Sequence, residues 1–268
     1  MASAEGISTN NQKLIKILFL GQCLQYGYDT VSKADTFQAL AAPALRARFP
    51  QLEINFDLKH LYHPIGLKPL LRHRLAVSRP DIVVLSLPAA FAARFIRVNL
   101  LYEIAPEVVD TARDFLQKLD SALLGRQSRK ASTPLDRFFT LRPPMPLPEY
   151  ERLVTEAIEF AVRTSSSRVV LMAPGRFNED STDIYDIPSP EIWAQVNQMV
   201  VDLGKRHHLP VICTQDLLAD YGNEVFLTNN HRWSRYGHEV IAREVEYVLS
   251  TQIGALCLPE LAELNRLP

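Results

Sequence analysis

Runs of apolar residues alternate along this chain with segments whose apolar positions recur at helical spacing. LIKILFL (14–20) is nearly continuous and ends at Gly21, which suits a strand covered on both faces. DTFQALAAPALRAR (35–48) has helical spacing, with Pro43 as an expected kink or boundary. LEINF (52–56) reads as a second strand, and GLKPLLRHRLAVS (66–78) as a basic amphipathic helix stopped before Pro80. DIVVLSL (81–87), held between Pro80 and Pro88, is the strongest strand signal. A helical pattern follows over 99–123, then another over 150–165, a strand over 167–174, a helix over 191–208 and a strand over 209–215. Ser234 is placed to cap a closing helix, SRYGHEVIAREVEYVLS.

Strands alternating with helices in this way predict a three-layer α/β/α domain. Its sheet is expected to be mainly parallel, flavodoxin-like and about five strands wide. The predicted organisation is a polar tail over 1–13, one domain over 14–250 and an extension over 251–268. Within the domain, residues 125–150 are rich in proline and basic side chains and poor in periodicity, which marks a loop insertion or lid.

Composition narrows the function classes. A formal net charge of −1 over 268 residues provides no global field for nucleic acid or an anionic membrane. No run approaches the roughly 18 apolar residues a spanning helix needs. The polar start MASAEGISTNNQK lacks a secretion-signal pattern, and Cys23, Cys213 and Cys257 are three cysteines at no metal-like spacing. A reduced, cytoplasmic protein without metal or organic cofactor is the expectation. HLYH (60–63), His73 and the His207-His208 pair fit no metal-ligand rhythm, and neither does the acidic loop EDSTDIYD (179–186).

In open α/β sheets, sites form beyond the carboxyl ends of the strands. Those ends are Gly21-Gln22-Cys23, Pro88-Ala89-Ala90, Pro174-Gly175-Arg176 and the loop before the last helix. Here the chain resembles a known family. KILFLGQCLQYG is similar to the opening block of the SGNH (GDSL-type) hydrolases, Gly-Asp-Ser-Leu-Thr-x-Gly: Gly21, Leu24 and Gly27 match, while Gln22 replaces the aspartate and Cys23 the serine. NNHRWSRYGHEVIA (229–242) resembles the family's final block, Asp-x-x-His followed by a capping residue and Gly-His. Counting back from Ser234 puts Arg232 at the usual histidine and Asn229 at the aspartate; a one-residue bulge brings His231 into that place instead. The Gly-x-Asn-Asp block is replaced by Pro88 to Phe91, and FDLKHLYH carries no oxyanion glycine.

The resemblance implies a hydrolase or acyltransferase acting on an ester or thioester. Its catalytic set would be Cys23, His231 and Asn229, with Gly21, Gln22, Leu24, Arg176 and Arg232 binding the substrate or oxyanion. A thiol suits this altered setting, because a neighbouring imidazole or a helix N-terminus can lower its pKa without a carboxylate. The partner would be a small acyl substrate. The alternative is a catalytically inactive protein of the same fold that binds a small anionic ligand or a protein partner. Arg176 and Arg232 would then clamp the anion, with Arg94 and Arg97 on the same rim. His238, Trp233 and Tyr236 are expected to pack or to hydrogen-bond structurally.

Overall fold

The computed structural model describes residues 12–21, 32–61, 64–89, 96–99, 139–142, 145–180, 189–228 and 232–264. Five strands form one parallel sheet: β1 (Lys13–Gly21), β2 (Leu52–His60), β3 (Ile82–Ser86), β6 (Arg168–Met172) and β7 (Val211–Ile212), in the order β2-β1-β3-β6-β7. Two further strands, β4 (Ile96–Asn99) and β5 (Phe139–Arg142), pair antiparallel as a separate ribbon. The main helices are α1 (Phe37–Arg48), α2 (Leu67–Val77), α3 (Leu147–Thr164), α4 (Pro190–His207), α5 (Thr214–Ala219) and α6 (Arg235–Leu264).

The sheet separates two apolar clusters, which explains the unbroken apolar runs. Along β1, Ile15, Ile17 and Phe19 face a cluster that includes Phe37, Ala41 and Leu45 of α1 with Ile241, Val245 and Leu249 of α6. Leu18 and Leu20 face the opposite cluster, with Leu70 and Leu71 of α2, Val154 and Ile158 of α3, and Val196 and Val200 of α4. All five of these β1 side chains are fully buried. Burial of each stabilises the fold by about 1.5–3 kcal/mol relative to exposure. The three layers and the parallel five-stranded sheet agree with the sequence.

The chain leaves β1, forms β2 on one side, then returns to form β3 on the other; the pairings run from Lys13↔Leu52 to Gly21↔His60 and from Ile17↔Ile82 to Leu20↔Leu85. This reversal creates a switch point between the carboxyl ends of β1 and β3, where such sheets form ligand crevices.

Several elements differ from their sequence patterns. Pro43 lies inside α1 and does not end it. The second strand continues to His60 rather than stopping at 56. The last sheet strand has only two residues, because the chain turns into α5 at Thr214. Asn99 ends a strand instead of starting a helix, and residues 139–142, inside the expected loop, are its partner. Most of the expected 99–123 helix lies outside the described residues. The final helix runs unbroken past residue 250 to Leu264, with Cys257 in the core, so residues 251–264 continue the domain's last helix.

Candidate active site

Four strand exits and one hairpin build the carboxyl edge of the sheet. At the first exit, the Gly21 carbonyl accepts the Leu61 backbone N–H at 2.7 Å, which holds the end of β1 beside the chain leaving β2. Gln22, Cys23 and Leu24 follow directly and lie outside the described residues. At the β3 exit, the Leu87 N–H donates to Met172 at 3.0 Å, and the Tyr150 hydroxyl donates to the Pro88 carbonyl at 3.3 Å. Tyr150 is fully buried, and that burial holds its phenol well above the ordinary tyrosine pKa.

The β6 exit is the most elaborately supported. Gly175 has φ +104°, a conformation open to glycine and strained for other residues. Its carbonyl accepts Trp193 Nε1 at 2.6 Å and Asn197 Nδ2 at 2.9 Å, both from α4. A Cβ added there would lie 3.2 Å from Thr214 Oγ1 and 3.4 Å from the Trp233 ring. Thr214 is buried at the β7 exit and donates to the Ala173 carbonyl at 2.8 Å. Cys213, just before it, is half-buried; burial is the main cause raising its thiol pKa, with the Asp216 side chain adding to it. A thiol pushed up in this way is held in its unreactive form.

The hairpin leads into α6. Phe226 and Trp233 form an isolated antiparallel bridge, and Leu227 N–H donates to the Arg232 carbonyl at 2.8 Å. Ser234 N–H donates to Val225 at 2.9 Å while its hydroxyl donates to Glu224 at 2.6 Å. The same hydroxyl oxygen accepts the Gly237 N–H at 3.2 Å, which is the cap expected from the sequence. Asn229 and His231, between these ties, lie outside the described residues. Arg232 is half-buried at the foot of the hairpin. The Gly175–Trp233 approach sets this hairpin against the β6 exit.

Arg176 is engaged with the turn that follows α5. Its guanidinium donates to the Leu218 carbonyl at 3.4 Å, to the Tyr221 carbonyl, to the Gly222 carbonyl at 3.1 Å and to Asn223 Oδ1 at 2.8 Å. It also sits 5.1 Å above the Phe226 ring centroid. These contacts tie the guanidinium to the turn after α5, and the same side chain lines the cavity described next. The sequence hides this, because the partners lie 42 to 47 residues away.

A cavity of about 400 Å³ opens beside Arg176, between Phe177, Asp180, Trp193, Gln215 and Asn223. Glu179 and Asp180 are exposed at its rim, as expected for the solvated acidic loop; Asp183 and Asp186 lie outside the described residues. Among the described residues, no group of three or more His, Cys, Asp or Glu side chains could hold a metal ion. Nor is any described helix long and apolar enough to cross a membrane.

No protein-family model and no curated protein matches the sequence. Solved structures do match the fold. Axe2, an acetylxylan esterase from Geobacillus stearothermophilus, is 16% identical, with 90% of this chain and 94% of that one covered and a TM-score of 0.53. The psychrotrophic esterase EstA from Pseudoalteromonas sp. is 11% identical over 89% of this chain and 98% of its own, at a TM-score of 0.55. The acetyl xylan esterase AlAXEase is 12% identical over 87% and 99%, at 0.54.

These esterases share the fold of this chain. Structures of Axe2 described as catalytic mutants replace a serine, an aspartate or a histidine. At these identities the likeness establishes architecture, and a shared fold by itself does not fix the chemistry. The supports of Gly175 (Trp193, Asn197 and Thr214) were not singled out from the sequence for this role. The Pro174-Gly175 turn after a strand was the available signal.

Proposed function

We propose that this SGNH-fold chain is an ester hydrolase or acyltransferase that works through a cysteine. Cys23 is the nucleophile, His231 takes the thiol proton, and Asn229 orients the imidazole. The thiolate attacks the acyl carbonyl, and backbone N–H groups around Gln22 and Leu24, beyond Gly21, receive the oxyanion. The tetrahedral intermediate expels the alcohol, which takes its proton from His231, and leaves an acyl-thioester on Cys23. Water, deprotonated by the same histidine, then releases the acid and restores the thiol; an acceptor alcohol in its place gives acyl transfer. Arg232, half-buried beside the hairpin, is the residue assigned to a polar or anionic part of the substrate. The esterase and acetylxylan esterase activities named for the structural neighbours favour a small acyl group such as acetyl.

The observation that carries this reading is convergence at one sheet edge. Strand β1 ends at Gly21, two residues before Cys23, at the switch point. On the same edge, Trp233 lies against Gly175 and bridges Phe226, and Asn229 and His231 fall between those two residues in the sequence.

The test is turnover of a short acyl ester by wild type, Cys23→Ala and His231→Ala, with the pH dependence of Cys23 alkylation measured in parallel. Both variants should lose turnover, and wild type should show a thiol pKa below the ordinary ~8.5. Undiminished turnover by Cys23→Ala sinks the proposal.

The second reading, a non-catalytic ligand-binding protein, is favoured by one specific feature: Arg232 holds the place three residues after Asn229. An arginine cannot serve as the base. That reading requires an ordinary thiol pKa and no turnover.

A further inference from the structure

We infer that Arg176 is a positioning residue for the hairpin between Phe226 and Trp233, acting through the turn that follows α5. The inference rests on the proposed roles of Asn229 and His231 for its catalytic consequence. Its structural content stands on observed contacts.

Arg176 is the second residue past Pro174 and so belongs to the rigid β6 exit. Gly175 beneath it is held by Trp193 and Asn197. The guanidinium fork gathers the carbonyls of Leu218, Tyr221 and Gly222, which belong to the end of α5 and the turn after it. Carbonyls at a helix end lack intrahelical donors and carry partial negative charge, so a planar cation with several N–H groups suits them. Lysine, with one ammonium point, cannot satisfy the same fan of acceptors.

Two connections carry the constraint onward. Asn223 accepts from Arg176 through Oδ1 and donates through Nδ2 to Asp180, closing the turn back on the β6 loop. The same guanidinium covers the Phe226 ring at 5.1 Å, and Phe226 is bridged to Trp233. The segment between those two residues contains Asn229, His231 and Arg232. Its first arm is therefore held by Arg176, and its second by Trp233 against Gly175 and by Ser234 on Val225 and Glu224. Removing the guanidinium takes its donors from the Tyr221 and Gly222 carbonyls, while Leu218 keeps the Tyr221 N–H, and it loosens the first arm and, through the bridge to Trp233, the hairpin.

The experiment combines hydrogen–deuterium exchange with kinetics on full-length wild type, Arg176→Ala, Arg176→Lys and Phe226→Leu. In Arg176→Ala, amides across 225–234 should exchange at least about tenfold faster while β1 and β3 keep their protection, which marks local rather than global opening. Turnover of a short acyl ester should fall about tenfold or more in kcat with KM nearly unchanged, and lysine should restore part of it. Phe226→Leu keeps the hydrogen bonds and loses the ring contact, so it should show a smaller loosening of the same segment. It also provides the readout should Arg176→Ala fail to fold.

Unchanged exchange over 225–234, or an equal rise across the whole sheet, overturns the inference. So does a rise in KM with kcat intact, which would return Arg176 to direct substrate binding. Turnover surviving in Cys23→Ala defeats the cysteine mechanism instead, and the exchange result still decides the positioning role.

Discussion

The backbone N–H of Phe37 donates to Nδ1 of His238 at 3.3 Å, joining the first turn of α1 to the first turn of α6. His238 is fully buried, parallel to the Phe37 ring at 6.0 Å and edge-on to Trp233 at 5.6 Å. An accepting Nδ1 requires a neutral ring with its proton on Nε2, and that nitrogen is buried without a partner. A helix start is thus capped by a side chain distant in sequence, and the cap works only uncharged.

Acid should therefore remove stability through His238. Burial lowers its pKa from 6.5 to about 4, and the Asp35 carboxylate opposes only part of that shift. The folded state binds this proton less readily than the unfolded chain. The contribution is complete above pH 6.5 and is lost as pH falls towards 4, on the order of 3 kcal/mol in total. Urea unfolding between pH 4 and 7 should show a shallower slope for His238→Phe than for wild type. Parallel slopes would contradict the assignment.

Gly237 should not tolerate a side chain, although it lies in the first turn of α6. An added Cβ would overlap the carbonyl oxygen of Val225 and press on the Trp233 side chain. Helix propensity alone predicts that alanine stabilises by up to about 1 kcal/mol. The clash reverses that sign, and Gly237→Ala should lose about 1–3 kcal/mol, as overpacked sites do. A urea midpoint above that of wild type would refute the packing described here.

Ser234 both caps α6 and ties the hairpin to Glu224. Ser234→Ala removes two hydrogen bonds in one step and should cost about 1–2 kcal/mol. The same variant should raise exchange at Leu227 and Gly237 more than at Leu171 in the sheet. A cost below about 0.3 kcal/mol would show that these bonds carry nothing measurable.

Tyr150→Phe isolates the support of the β3 exit. The hydroxyl is buried against the Pro88 carbonyl, and the ring belongs to the core with Leu87 and Ala89. Keeping the ring and losing the hydroxyl should cost about 0.5–1.5 kcal/mol in urea unfolding. Stability equal to wild type would show that the 3.3 Å contact contributes nothing net.

Much of the sheet was legible because its signals are local. LIKILFL and DIVVLSL carry apolar groups to both faces, and only a strand covered on both sides buries such runs. Ser234 was legible for the same reason, since a cap reaches only to the third helical residue. The two-residue β7 was overestimated because α5 begins at Thr214, within LPVICTQ, and periodicity over so few residues cannot separate strand from helix. The β4–β5 pairing was invisible because its strands are separated by the long segment 100–138.

For the site, sequence located the strand exits and brought Cys23, Asn229 and His231 forward as chemistry. It read Arg176 as a ligand clamp, because a loop arginine after a strand looks alike whether it meets substrate or protein. Tertiary structure added what no local pattern shows, three carbonyls of a distant segment brought to the same guanidinium. It also decided the roles of His238 and Gly175, whose partners come from other helices. Burial pattern and caps are short-range properties written along the chain. Which donors meet which acceptors depends on where the packed layers bring distant segments together, and only folding sets that.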